Sequence, residues 1–183
     1  GRDDIQLALN SSKTGVVIRL LAGEYPLFAP LVVPHSGTVI RGDNLRTTIR
    51  SYFNDPAESI ITMPTGGREC YLEGLTVRNK YPVLHQLLVQ SNYTWVINCT
   101  FMQEAAVQTG AGIFLLNGDY NLLQGNRVFT AALGRTWAEI YLDNASEYNS
   151  VVGNICPAAG AVIRYLGASG TVSAANIPTP TIV

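Results

Sequence analysis

Apolar residues fall along this chain in short runs separated by polar and turn-forming residues, and the runs recur in a fixed phase. Ser91–Phe101 reads SNYTWVINCTF, Asp119–Phe129 reads DYNLLQGNRVF and Glu147–Pro157 reads EYNSVVGNICP. Each copy passes from a tyrosine through Asn or Thr and a brief apolar run to an asparagine. These asparagines, Asn98, Asn126 and Asn154, stand 28 residues apart, a period in the range of stacked repeats. A second series, Leu87–Val89, Ile113–Leu116, Ile140–Leu142 and Val162–Ile163, keeps nearly the same phase, with Ser59–Met63 as an earlier member. Two strand series in fixed phase describe one turn of a coil made of strands. No turn carries the amphipathic helical pattern that a crossover between parallel strands needs, so helical-repeat and doubly wound folds are disfavoured.

The pattern therefore predicts an all-β chain, a parallel β-helix of about six rungs in which each turn touches mainly its neighbours. Residues 1–14 form its N-terminal cap: Asp3 and Asp4 start a short helix, Ile5, Ala8 and Leu9 lie on one face, and Lys13 and Gly15 end it. Residues 15–170 make the rungs. Residues 171–183 form an extended tail, since Pro178 and Pro180 disfavour helix at and before their own positions. The C-terminal end of the coil has no capping helix of its own, so the tail, another domain or a second subunit is expected over it.

The stretch Gly15–Asn44 adds a resemblance. A capping helix, a strand, Ala22-Gly23-Glu24-Tyr25, a second strand near Leu31–Val33 and Gly37-Thr38-Val39-Ile40-Arg41-Gly42 resemble the opening of the right-handed β-helix proteins of the pectate-lyase-like superfamily. That group includes pectate lyases, other polysaccharide lyases and hydrolases, epimerases and phage tailspikes. The resemblance implies a right-handed coil; it is specific for fold and poor for chemistry, because one fold hosts many functions.

Composition narrows the picture. The 183 residues are 47% hydrophobic and 14% charged with net charge -1, which fits a single domain of ordinary size and gives no basic footprint for nucleic acid. No apolar run approaches the roughly 18 residues of a membrane span. A chain opening on Gly1 reads as a mature product, a fragment or a trimmed chain. Cys70, Cys99 and Cys156 are too few for a disulfide scaffold and are expected as buried free thiols. His35 and His85 are isolated and expected in turns or at the surface. Asn98, Asn126 and Asn154 are expected to stack as a corner ladder, and Tyr93, Tyr120 and Tyr148 as a packing ladder beside it. Of the N-glycosylation patterns, those at Asn10, Asn92 and Asn144 are candidates, and that at Asn98 is discounted as an inward residue.

Candidate chemistry lies on Glu139-Ile140-Tyr141-Leu142-Asp143. Alternation sends Ile140 and Leu142 inward and Glu139, Tyr141 and Asp143 outward. Glu139 and Asp143 are then about 13 Å apart, beyond the roughly 5 to 9.5 Å of a glycosidase pair. Asp119, one rung earlier, reaches within roughly 8 Å of Asp143. Asp119 and Asp143 are thus the candidate catalytic pair, with Glu139 positioning substrate, Tyr141 offering a stacking face and Arg164 supplying positive charge. These residue types resemble the acidic grooves of β-helix carbohydrate enzymes, where carboxylates serve as acid and base or hold calcium. No cofactor is expected, and calcium only if the chain is a lyase. Ile113, Leu115 and Ile163 are read as outward apolar residues suited to a neighbouring subunit or domain.

Three functions follow. The first is an extracellular, cell-surface or virion module that supports an assembly and interacts with a glycan. The second is a small polysaccharide lyase or glycoside hydrolase using the acidic face. The third is a structural solenoid that forms filaments.

Overall fold

The computed structural model describes residues 2–43, 46–105, 110–130, 138–157, 162–167, 169–177 and 181–182. A helix, α1 (Arg2–Ser11), precedes a coil of short strands. The first turn holds β1 (Val17–Arg19), β2 (Gly23–Leu27) and β3 (Leu31–Val32). The second holds β4 (Val39–Arg41), β5 (Thr47–Ser51) and β6 (Ile61–Met63), and the third β7 (Tyr71–Glu73), β8 (Leu75–Asn79) and β9 (Leu87–Val89). Next come β10 (Trp95–Ile97), β11 (Thr100–Gln103) and β12 (Ile113–Leu115), then β13 (Leu122–Gln124), β14 (Arg127–Thr130) and β15 (Ile140–Leu142). The coil continues through β16 (Ser150–Val152), β17 (Ile163–Tyr165), β18 (Val172–Ala174) and β19 (Thr181–Ile182).

Every strand pairs in parallel with the strand one turn away, giving three sheets. Sheet A stacks β1-β4-β7-β10-β13-β16-β18, sheet B stacks β2-β5-β8-β11-β14, and sheet C stacks β3-β6-β9-β12-β15-β17-β19. Five turns thus carry a strand on all three sheets. In the next two, single bridges Arg127↔Ile155 and Ile155↔Ile177 continue the line of sheet B. The stretch expected as a tail is extended and adds β18 and β19 to sheets A and C; Pro178, Thr179 and Pro180 lie outside the described residues.

Strands this short are stable because each sends its central or flanking residues into one shared core. Ile40, Leu72, Val96, Leu123 and Val151 stack inward from sheet A, Ile49, Val77, Phe101 and Val128 from sheet B, and Ile61, Leu87, Ile113, Ile140 and Ile163 from sheet C, all fully buried. Each such side chain contributes about 1.5–3 kcal/mol by leaving water. At the N-terminal end Ile5 and Leu9 of α1 close this core. The helix ends as Ser11 and Ser12 hydroxyls donate to the carbonyls of Leu7 and Leu9, each at 2.7 Å. Among the described residues no helix is long and apolar enough to cross a membrane.

The corners explain the repeat. Gly37, Glu69, Tyr93, Tyr120, Tyr148 and Gly170 occupy one corner in successive turns, all with left-handed backbone (φ 53 to 70°). Gly74, Asn98, Gly125, Gly153 and Ala175 occupy a second, again left-handed. The three glycines in this column fit the requirement, since glycine takes positive φ without steric cost.

Two sequence expectations are corrected here, each by one residue. The buried ladder is Asn126, Asn154 and Asn176, with Cys99 in the preceding turn. The Oδ1 of each asparagine accepts the N–H of the residue one turn earlier: Cys99 to Asn126 at 3.0 Å, Asn126 to Asn154 at 3.0 Å, Asn154 to Asn176 at 2.9 Å. Asn98 is exposed and belongs to the left-handed column. The turn from Cys99 to Asn126 has one residue fewer than the next, which a uniform period of 28 hides. On sheet C, Ile113, Leu115 and Ile163 are fully buried, and the outward column is Leu88, Phe114, Tyr141 and Arg164. An all-apolar run such as Ile-Phe-Leu carries no alternation from which parity can be read.

Candidate functional site

The residues singled out in the sequence separate in the structure. Tyr141 and Arg164 are register partners on the outer face of sheet C, as expected. Glu139 and Asp143 are corrected: both are buried, at 0% and 8% exposure. Their strand spans only Ile140–Leu142, so alternation stops at its ends and the flanking carboxylates turn into the corners. Glu139 Oε2 accepts the Val162 N–H at 2.5 Å. Asp143 Oδ1 accepts the Ser146 hydroxyl at 2.5 Å and the Asn117 N–H at 3.2 Å. Asp119 Oδ1 accepts the Glu147 N–H at 2.8 Å, so the intended acid–base pair is engaged in holding two turns in register.

Among the glycosylation candidates, Asn144 and Asn10 are exposed, and Asn10 Oδ1 accepts from Gln6 at 2.9 Å. Asn92 is half-buried and accepts the Asp119 N–H at 2.9 Å. The three cysteines are buried free thiols as expected; burial pushes the Cys99 thiol up to about 12. His85 is corrected from turn or surface to interior. Its ring lies 4.7 Å from that of Phe114, its Nδ1 accepts the Ala111 N–H at 2.9 Å, and burial lowers it to about 4.

A different set of side chains converges on the outer face of sheet B. Arg50 on β5 and Arg78 on β8 are direct register partners, so two cationic side chains leave neighbouring strands whose backbones are about 4.8 Å apart. Like charges so close need an anion, and Glu104, one residue past β11, supplies it. Its Oε2 binds Arg50 Nη2 at 2.6 Å and its Oε1 binds Arg78 Nη2. Glu24 on β2 approaches Arg50 at 3.6 Å and accepts the Tyr52 hydroxyl at 2.9 Å. Burial alone would lower the Arg50 guanidinium, but the hydrogen bond and charge of Glu104, with Tyr52 and Glu24, hold it above its ordinary value.

Aromatic rings border these charges. Arg50 lies 5.5 Å from the centre of the Tyr52 ring. Lys80 stands over both Tyr52 and Tyr81, at 5.7 and 5.4 Å. Phe28, exposed at 70%, packs against Tyr52 at 5.8 Å. Three cations, two carboxylates and three rings thus share one edge of four successive turns. Sequence reasoning passed over this group, though a signal was present: Arg50 to Arg78 and Tyr52 to Lys80 are each 28 residues apart, the period already read.

Sheet A offers a contrast. Tyr93, Tyr120 and Tyr148 stack nearly parallel at 5.2 Å per step, and Tyr71 meets Trp95 at 4.9 Å. The faces of the stacked tyrosines cover one another, Tyr120 on both sides, so they present edges to solvent. A small polar cleft, lined in part by Arg68, Gln90, Asn92 and Asn117, lies at the corner between sheets C and A. Among the described residues no group of three His, Cys, Asp or Glu comes together that could hold a metal ion.

No protein-family model matches the chain, and no curated protein does. Solved structures do. The crystal structure of pectate lyase Pel9A superposes on 90% of the chain with a TM-score of 0.67 at 15% identity. The Geobacillus virus E2 protein ORF18 superposes on 94% with a TM-score of 0.58 at 12% identity. The chain has the pectate-lyase-like β-helix fold. It spans about half the length of these proteins, 48% and 44%. At such identities the likeness is one of fold, and the chemistry must come from this chain's own residues.

Proposed function

We propose that the chain is a polysaccharide-interacting β-helix module, at work outside the cell or on a virion, that holds a glycan along the outer face of sheet B. The observation that carries this reading is the continuous edge of Phe28, Tyr52, Lys80 and Tyr81 beside Arg50 and Arg78. Sugar rings offer C–H faces to aromatic rings and hydroxyls to charged donors, and this edge supplies both over three turns. The likeness to a pectate lyase and a phage protein supports a polysaccharide context for such a coil.

Titration of the chain with neutral and acidic polysaccharides by calorimetry tests it. Binding that weakens roughly threefold to tenfold in Tyr52→Ala and Tyr81→Ala, at unchanged melting temperature, is the expected result. Binding to none of the polymers sinks the reading.

A further inference from the structure

We propose that Arg50 and Arg78 form an anion subsite whose resident occupant is Glu104, and that a carboxylate or sulfate of an acidic polysaccharide binds by taking Glu104's place. The proposal rests on the polysaccharide-binding reading and adds to it the class of ligand and the residue that selects it.

The geometry of the resident contact carries the argument. Two guanidinium groups on in-register strands face one carboxylate, and each carboxylate oxygen takes one of them, Oε2 with Arg50 and Oε1 with Arg78. This is a bridging arrangement that any planar or tetrahedral anion with two free oxygens reproduces. A uronic acid carboxylate and a sugar sulfate both qualify.

The resident is loosely invested. Glu104 lies one residue beyond the end of β11, its side chain is 24% exposed, and the pair it bridges is 25% and 33% exposed. The three side chains are partly buried yet reachable from solvent, and an incoming carboxylate re-forms the same two charge-assisted bonds that Glu104 gives up, so exchange of one carboxylate for another is close to balanced. Donor capacity also remains: the Nε atoms of both Arg50 and Arg78 are buried and find no hydrogen-bond partner among the described residues. An anion arriving with the rest of a sugar attached gains the contacts of Tyr52, Tyr81 and Phe28 that Glu104 cannot make. A neutral polymer gains the ring contacts only and leaves Glu104 in place. Glu104 thus acts as a specificity-determining competitor.

The sign of the effect is testable, because removing a competitor tightens binding whereas removing a ligand-binding group weakens it. Affinities of the native chain, Glu104→Gln, Glu104→Ala and Arg78→Gln are measured by calorimetry with polygalacturonate and with neutral dextran, at low and moderate salt, each variant's fold being checked by thermal melting. Tighter binding of polygalacturonate by both Glu104 variants, by about threefold or more, with weaker binding by Arg78→Gln and dextran unaffected, is expected. Native binding of polygalacturonate that is unchanged or weakened in both folded Glu104 variants overturns the exchange and leaves the polysaccharide reading standing. Failure of every form to bind either polymer overturns both.

Discussion

The side-chain amide of Gln6 takes both hydrogen-bonding groups of Val32: Oε1 accepts the Val32 N–H at 2.9 Å and Nε2 donates to the Val32 carbonyl at 3.0 Å. Val32 lies on β3, the first strand of sheet C, whose outer edge would otherwise be open to pairing with another chain. The helix therefore closes the coil twice, with Leu9 over the core and Gln6 along the strand edge. Gln6→Ala is expected to cost about 1 kcal/mol, because water can replace exposed bonds. Leu9→Ala should cost roughly 2–5 kcal/mol, because it empties a fully buried site. Urea unfolding of the two variants checks the ranking, and equal losses contradict it.

His85 sets an acid limit on stability. Its folded value of about 4 lies below the ordinary 6.5, so between those values the unfolded chain binds the extra proton. Stability is full above about pH 6.5 and declines as pH falls toward 4, by an amount on the order of 3 kcal/mol. In His85→Asn, where Oδ1 can still accept the Ala111 N–H, this part of the pH dependence is expected to vanish. Parallel pH profiles for native and variant chains would show that another group is responsible.

The one-residue correction at the corner separates Asn98 from Asn126. Asn126 accepts from Cys99 and donates to the Val96 carbonyl at 2.8 Å, so Asn126→Ala strands buried groups and should cost about 2–4 kcal/mol. Asn98 is exposed with φ 52°, so Asn98→Gly relieves left-handed strain and should be neutral or stabilising by up to about 1 kcal/mol. Thermal melts of the two proteins distinguish this register from one in which Asn98 belongs to the buried ladder.

These corners mark how far the sequence could be read. Tyr93, Tyr120 and Tyr148 recur because their rings stack on one another at one corner, turn upon turn, and that stacking shows directly as a period. The facing of Ile113 against Phe114 does not show, since both are apolar and only neighbouring turns decide which points inward. The destinations of Asp119, Glu139 and Asp143 depend on corner geometry beyond three-residue strands. There a backbone N–H one turn away captures each carboxylate. Arg50 and Arg78 were within reach of the period, but Glu104 stands only 26 residues beyond Arg78, and its role emerges only when β11 is laid beside β8.

The corner roles of Asp119 and Asp143 lead to a prediction about chemistry. Asp143→Ala should lower stability by roughly 1–3 kcal/mol through loss of its bonds to Ser146 and Asn117. Asp119→Asn keeps an acceptor for the Glu147 N–H and should change it little. Neither change is expected to alter polysaccharide affinity in chains that remain folded. A loss of affinity in folded Asp119→Asn would move the site to the corner between sheets C and A.

Amide hydrogen exchange of the chain with and without saturating polygalacturonate tests the location of the site most directly. The account predicts slowed exchange around Tyr52, Lys80, Tyr81 and Glu104, at the ends of β5, β8 and β11, with Tyr93, Tyr120 and Tyr148 unchanged. Protection confined to the tyrosine corner of sheet A, or to Tyr141 and Arg164 on sheet C, would contradict it.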